Sequence, residues 1–151
     1  MRRTFAPFFA CLAITLAPAA TAADYVANSA EIVKAADWKQ MTTVTVELGE
    51  HHFEPEQLKL KAGHPYKIEL KNVGEKDHYY TAAKFFKAVA WRKLMVNKQA
   101  EIKADYVNAL EVLKGGQLDI YVIPVTKGSY DVLCTIDDHR DKGMEGSIII
   151  E

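Results

Sequence analysis

From Met41 onward, apolar and polar residues alternate along most of this chain. Val44, Val46 and Leu48 take turns with Thr43, Thr45 and Glu47, the period-2 pattern of a strand with one face in a core. The same pattern predicts strands at 57–61, 66–72, 106–113, 118–125, 129–135 and 146–150, with Tyr66, Ile68 and Leu70 sharing one face of the second. Turn residues separate them: Gly63-His64-Pro65, Gly115-Gly116 and Lys127-Gly128. Two segments depart from this rhythm. Residues 24–40 show no alternation and hold no Gly or Pro, which predicts an N-terminal arm or short helix. Residues 81–96 carry Phe86, Val89 or Ala90, and Leu94 at helical intervals among Lys84, Lys87, Arg92 and Lys93, which predicts a helix inserted between strands. Short strands with regular turns imply an all-β, antiparallel Greek-key β-sandwich or barrel with an inserted α-helix.

The amino terminus changes the picture of where the chain works. Arg2 and Arg3 precede an apolar run from Phe5 to Leu16, then Pro18 and the small-residue end Ala20-Thr21-Ala22, the layout of a cleavable secretory signal. The expected organisation is therefore a signal peptide at 1–22, an arm or helix at 23–40, and one domain at 41–151 interrupted by a helical insertion at about 81–96. The expected compartment is the periplasm. The chain carries 19 basic and 20 acidic residues, and losing Arg2 and Arg3 leaves it mildly acidic, too weakly charged to imply nucleic acid. No later apolar run approaches the roughly 20 residues that span a bilayer, so stable membrane insertion is not expected.

Cysteine usage narrows the chemistry. Cys11 falls in the signal and should leave with it, so Cys134 remains alone. A single cysteine in an exported protein implies an intermolecular disulfide, a reactive thiol or a metal ligand. Its neighbours favour the last: Cys134 sits at the end of a predicted strand, and His139 and Met144 follow at intervals of five residues on the loop beyond it. With His78 upstream, they form a set of one thiolate, two imidazoles and one thioether. That set suits one copper ion in both oxidation states, in a His₂Cys site with a weak axial Met. Zinc would accept the Cys and the two His but has no use for the Met. His51, His52 and His64 are candidates for a second, weaker copper site, although solvated surface positions are the commoner role for such residues. The chain contains no His-x-His pairs, no second domain cysteine and no Gly-rich phosphate loop, and no enzyme activity is expected.

These motifs resemble the cupredoxins, the blue or type 1 copper family that includes plastocyanin and azurin. The matching features run in order: Phe53-Glu54-Pro55 before a strand, Ala62-Gly63, a strand ending Leu70-Lys71-Asn72, His78, Gly128-Ser129-Tyr130, then Cys134, His139, Gly143-Met144 and Gly146. The spacing of four residues on each side of the loop histidine is similar to that of rusticyanin and auracyanin. The resemblance implies that His78, Cys134, His139 and Met144 bind the metal, and that Asn72 is structural at the turn toward His78. It implies a monomeric one-electron carrier with a redox partner such as a c-type cytochrome. Copper tolerance, buffering or trafficking, with a copper donor or acceptor as partner, is the alternative role. Two positions depart from the family pattern. Tyr79 stands where many relatives place a small polar residue, and His139 is flanked by Asp137, Asp138, Arg140, Asp141 and Lys142 in place of an apolar patch.

Overall fold

The computed structural model describes residues 24–151, so the expected signal peptide at 1–22 lies outside the described residues. Two sheets pack face to face. The first holds β1 (Thr42–Gly49), β2 (His52–Glu54), β4 (Tyr66–Asn72), β6 (Val89–Val96), β7 (Ala100–Ile102) and β9 (Gln117–Pro124), in the order β2-β1-β4-β9-β6-β7. The second holds β3 (Gln57–Leu60), β5 (His78–Thr81), β8 (Ala109–Val112), β10 (Gly128–Leu133) and β11 (Glu145–Ile150), in the order β3-β11-β10-β5-β8. Alternation along the strands places Val46, Leu48, Ile68, Leu70, Ile120 and Val122 from one sheet against Leu58, Leu60, Tyr80, Val132, Ile148 and Ile150 from the other, all buried.

Most of the predicted strands appear within a residue or two of their expected limits. The expectation of an antiparallel sandwich holds for most pairs but not for two, because β1 pairs with β4 and β3 with β11 in parallel. The β1–β4 pair runs in register from Thr42 opposite Tyr66 to Leu48 opposite Asn72. The expected helix over 81–96 also needs correction. Only Ala83–Lys87 (α2) is helical, and Val89–Val96 is a strand paired with both β7 and β9. The ladder to β9 shifts register between Trp91 and Lys93, so Arg92 is an extra residue in a bulge. Core positions there run Val89, Trp91 and Leu94, and the inserted residue turns a spacing of two into three, which imitates a helical period.

The aromatic residues of this segment close one part of the core. Phe85 and Phe86 are fully buried, and the Trp91 indole N–H donates to the Phe86 carbonyl at 2.8 Å. The N-terminal region forms α1 (Ser29–Ala35) and a short 3-10 turn at Trp38–Gln40. It docks on β6: the buried Ser29 hydroxyl accepts the Trp91 backbone N–H at 2.7 Å, and the Arg92 guanidinium lies 4.4 Å from the centre of the Trp38 ring. No helix among the described residues is long and apolar enough to cross a membrane.

Candidate metal centre

Three chain segments meet at one end of the sandwich. β5 begins with His78, paired with Val112 of β8. Cys134 follows directly after β10, and the loop from Ile136 to Met144 returns the chain to β11. That loop is closed by its own backbone: the His139 N–H donates to the Ile136 carbonyl at 3.0 Å, and the Met144 N–H to the His139 carbonyl at 3.0 Å. The Cys134 N–H donates to the Met144 carbonyl at 3.0 Å, tying the last residue of the loop back to Cys134 ahead of it. Gly143 sits at φ +100°, a left-handed conformation that glycine adopts without a Cβ penalty, and it lets the chain reverse before Met144. The Lys142 ammonium lies 2.9 Å from the Asp138 carboxylate and holds it below the ordinary Asp range.

The result is a compact, desolvated group of donors. The Cys134 sulfur lies 3.4 Å from His139 Nδ1 and 4.0 Å from His78 Nδ1, and the three potential ligand atoms all fall within 4.8 Å of one another. All three residues are buried, and the Met144 side chain is fully buried. Bonds of about 2.0–2.3 Å to nitrogen and sulfur, splayed trigonally round one first-row ion, would separate such atoms by about 3.8 Å. The observed separations bracket that figure. A thiolate with two imidazoles, and a buried methionine at the end of the same loop, is a donor set that suits copper, so the residues present fit one copper ion. Burial pushes the His78 pKa down, which keeps the ring neutral and its lone pair available.

Two further residues face the histidines, both from the turn between β1 and β2. The Glu50 carboxylate accepts the backbone N–H groups of Glu75 and Lys76 at 2.6 and 3.1 Å, and these bonds, the Glu75 one foremost, hold its pKa below the usual range. The same oxygen lies 3.6 Å from His78 Nε2. His51, at φ +62°, places its ring edge-on to that of His139 with centroids 5.1 Å apart, and its Nε2 is buried with no hydrogen-bond partner. The candidate second site of His51, His52 and His64 is not assembled. His64 bonds the Thr42 hydroxyl at the opposite end of β1, and His52 is exposed beside Gly49. Sequence reasoning passed over Glu50 entirely, because nothing local to it signals a contact made 28 residues later. Asn72, expected to be structural, is buried and makes three hydrogen bonds: Nδ2 donates to the Lys76 and Val112 carbonyls at 2.7 and 2.8 Å, and Oδ1 accepts the Gly74 N–H at 2.9 Å. The Tyr79 hydroxyl turns to the Glu111 carboxylate at 3.2 Å.

The profile of the family described as "Cupredoxin-like domain" matches residues 9–150. No curated protein sequence matches the chain. Among solved structures, the chain is similar to dithionite-reduced auracyanin from the photosynthetic bacterium Roseiflexus castenholzii, at 19% identity and a TM-score of 0.52, covering 73% of this chain and 97% of that one. It is also similar to part of the copper nitrite reductase of Nitrosomonas europaea, at 12% identity and a TM-score of 0.56, over 72% of this chain and 48% of that one. A multi-copper oxidase from Pseudomonas thermotolerans aligns at 16% identity and a TM-score of 0.57, over 76% of this chain and 31% of that one. At these identities the likeness establishes the fold, which carriers and copper enzymes share.

Proposed function

The chain belongs to the cupredoxin-like domain family, and from that premise we propose that it is a periplasmic one-electron carrier whose single copper is held by His78, Cys134, His139 and Met144. The observation that carries this reading is the closed, buried cluster of Cys134, His78 and His139 ligand atoms. A bound copper supplies the one-electron couple. The chain's own residues do the rest. Cys134 provides the thiolate, the two Nδ1 atoms provide neutral imidazole donors, and Met144 lies where the loop closes. Backbone bonds within 136–144 and the β5–β8 pairing hold these groups in place, so little of the protein needs to move when the charge at the site changes.

The His139 ring is only 1% exposed, and the half-buried His51 packs edge-on against it. Electrons would leave through this pair of rings. Val73 and Leu113, both 58% exposed, flank the segments that enter and pair with His78 and offer an apolar surface for a redox partner such as a c-type cytochrome. The neighbouring loop is mixed in charge, with Asp137, Asp138 and Asp141 beside Arg140 and Lys142 and with Asp138 paired to Lys142, so a partner would meet charges of both signs there.

The test is the visible absorption of the mature protein with Cu(II), beside Cys134→Ser. An intense thiolate-to-copper band absent from the variant is expected; a colourless wild-type protein would overturn the reading. One observation favours a second role, copper buffering or transfer: His51 presents an unpartnered imidazole nitrogen next to a ligand. Copper that passes within minutes to a competing chelator would support transfer, and a reversible couple with inert copper would support the carrier.

A further inference from the structure

We propose that Glu50 is a positioning residue for the His78 ligand: its carboxylate, set against the Nε2 edge of the ring, keeps the imidazole proton on Nε2, leaves Nδ1 as the donor, and biases the centre toward its oxidised state. This rests on the copper-centre reading above. The geometry has four parts. His78 turns Nδ1 toward Cys134, so Nε2 points away from the cluster. That nitrogen is buried without a hydrogen-bond partner, and the Glu50 carboxylate at 3.6 Å is the charged group facing it. The carboxylate is anchored by the Glu75 and Lys76 backbone N–H groups on the same oxygen. Gly74 makes the approach possible: a Cβ there would lie 2.5 Å from the Glu50 oxygen and 3.0 Å from His78 Nε2.

At 3.6 Å the contact is longer than a hydrogen bond, and its effect is that of an anion beside a ring dipole. A neutral imidazole carries one N–H, and an anion at Nε2 favours placing it there. The same negative charge stabilises a cupric centre more than a cuprous one. Outer partners of metal-bound histidines are worth about 10- to 100-fold in metal binding. The Glu50 side chain is 37% exposed, and solvent screening places its effect at the lower end of that range.

The experiment compares the copper-loaded mature chain with Glu50→Gln, Glu50→Ala, Gly74→Ala and, as a control for a nearby exposed charge, Glu75→Gln. Gly74→Ala alters no charge: its Cβ must displace the Glu50 tip and also presses on His78 Nε2 at 3.0 Å, so its result is read beside that of Glu50→Gln and not alone. All are expected to keep the visible band. Glu50→Gln and Gly74→Ala should raise the preference for Cu(I) over Cu(II) about tenfold, about 59 mV upward for a one-electron couple. Glu75→Gln should change it less than twofold. In the copper-free protein, long-range ¹H–¹⁵N spectra should show the His78 proton on Nε2 in the wild type and redistributed in Glu50→Ala. An intact band with less than a twofold change in Glu50→Gln, or a wild-type proton on Nδ1, would overturn the proposal while leaving the copper centre standing. A wild-type protein with no band would remove the copper-centre reading, and the tautomer measurement alone would then decide the Glu50 contact.

Discussion

Replacing Asn72 with Ala should destabilise the copper-free protein by about 3 kcal/mol. The side chain is 5% exposed and closes three hydrogen bonds, to the Lys76 and Val112 carbonyls and from the Gly74 N–H. These tie the end of β4 to the loop before His78 and across to β8. Each such bond contributes about 1 kcal/mol net, and the Val112 carbonyl would lose its partner in buried surroundings. For a domain of this size, about 3 kcal/mol corresponds to a fall of roughly 10 °C in Tm. The assay is urea unfolding followed by tryptophan fluorescence, with an unchanged slope showing that the compactness of the end states is the same. Asn72→Asp sharpens the reasoning. It keeps an acceptor for Gly74 but turns a carboxylate on two carbonyl oxygens, so near neutral pH it should cost more than Ala. Those carbonyls favour the protonated acid in the folded state and raise its pKa there, so the penalty should shrink as pH falls toward 4 and below. A loss below about 1 kcal/mol for Ala, or an Asp variant as stable as wild type at neutral pH, would refute the account.

Three other outcomes are expected. Glu69, flanked by the Lys67 and Lys71 ammonium groups at 2.6 and 2.7 Å, has its carboxyl held down at about 2. Its contribution is therefore complete above about pH 4.5 and is lost as pH falls from there toward 2, so Glu69→Gln should flatten that part of the stability–pH curve; parallel curves would contradict this. Phe86→Ala should cost about 3–5 kcal/mol in the same unfolding assay, because the fully buried ring packs against Tyr80, Phe85 and Trp91. Met144→Leu nearly conserves volume at a fully buried position and should cost less than about 1.5 kcal/mol while moving the reduction potential of the copper form; an unmoved potential would make Met144 a core side chain only.

The strands were legible where one face is buried and nothing interrupts the pleat. Tyr66–Asn72 alternates buried and half-buried residues throughout, and its limits could be read from the sequence. Val89–Val96 could not. Val89, Ala90 and Trp91 are consecutively buried, and the bulge at Arg92 then shifts the phase, so the apolar positions fit a helical period as well as a strand. The helix formers ahead of it do form α2, which made the longer helix plausible. The short edge strands His52–Glu54 and Ala100–Ile102 carry too few residues for any period to be recognised.

The metal centre divides along the same line between local and distant information. Cys134, His139 and Met144 sit on one loop whose turns are set by nearby residues, so their association could be read from spacing. What surrounds His78 depends on strand register. Leu48 stands opposite Asn72 in the parallel β1–β4 pair, and continuing both chains by two residues brings Glu50 beside Gly74. A register one residue different would carry Glu50 away from Gly74 and turn its side chain to the other face. The carboxylate at His78 and the imidazole at His139 thus follow from one pairing that no short stretch of sequence encodes. Glu50, His51 and Asn72 are best treated as a unit, since the register that seats Asn72 on the loop to His78 also delivers the turn that touches both histidines. Disturbing that register should alter His78 and His139 together, whereas Met144 substitutions should leave the histidine surroundings intact.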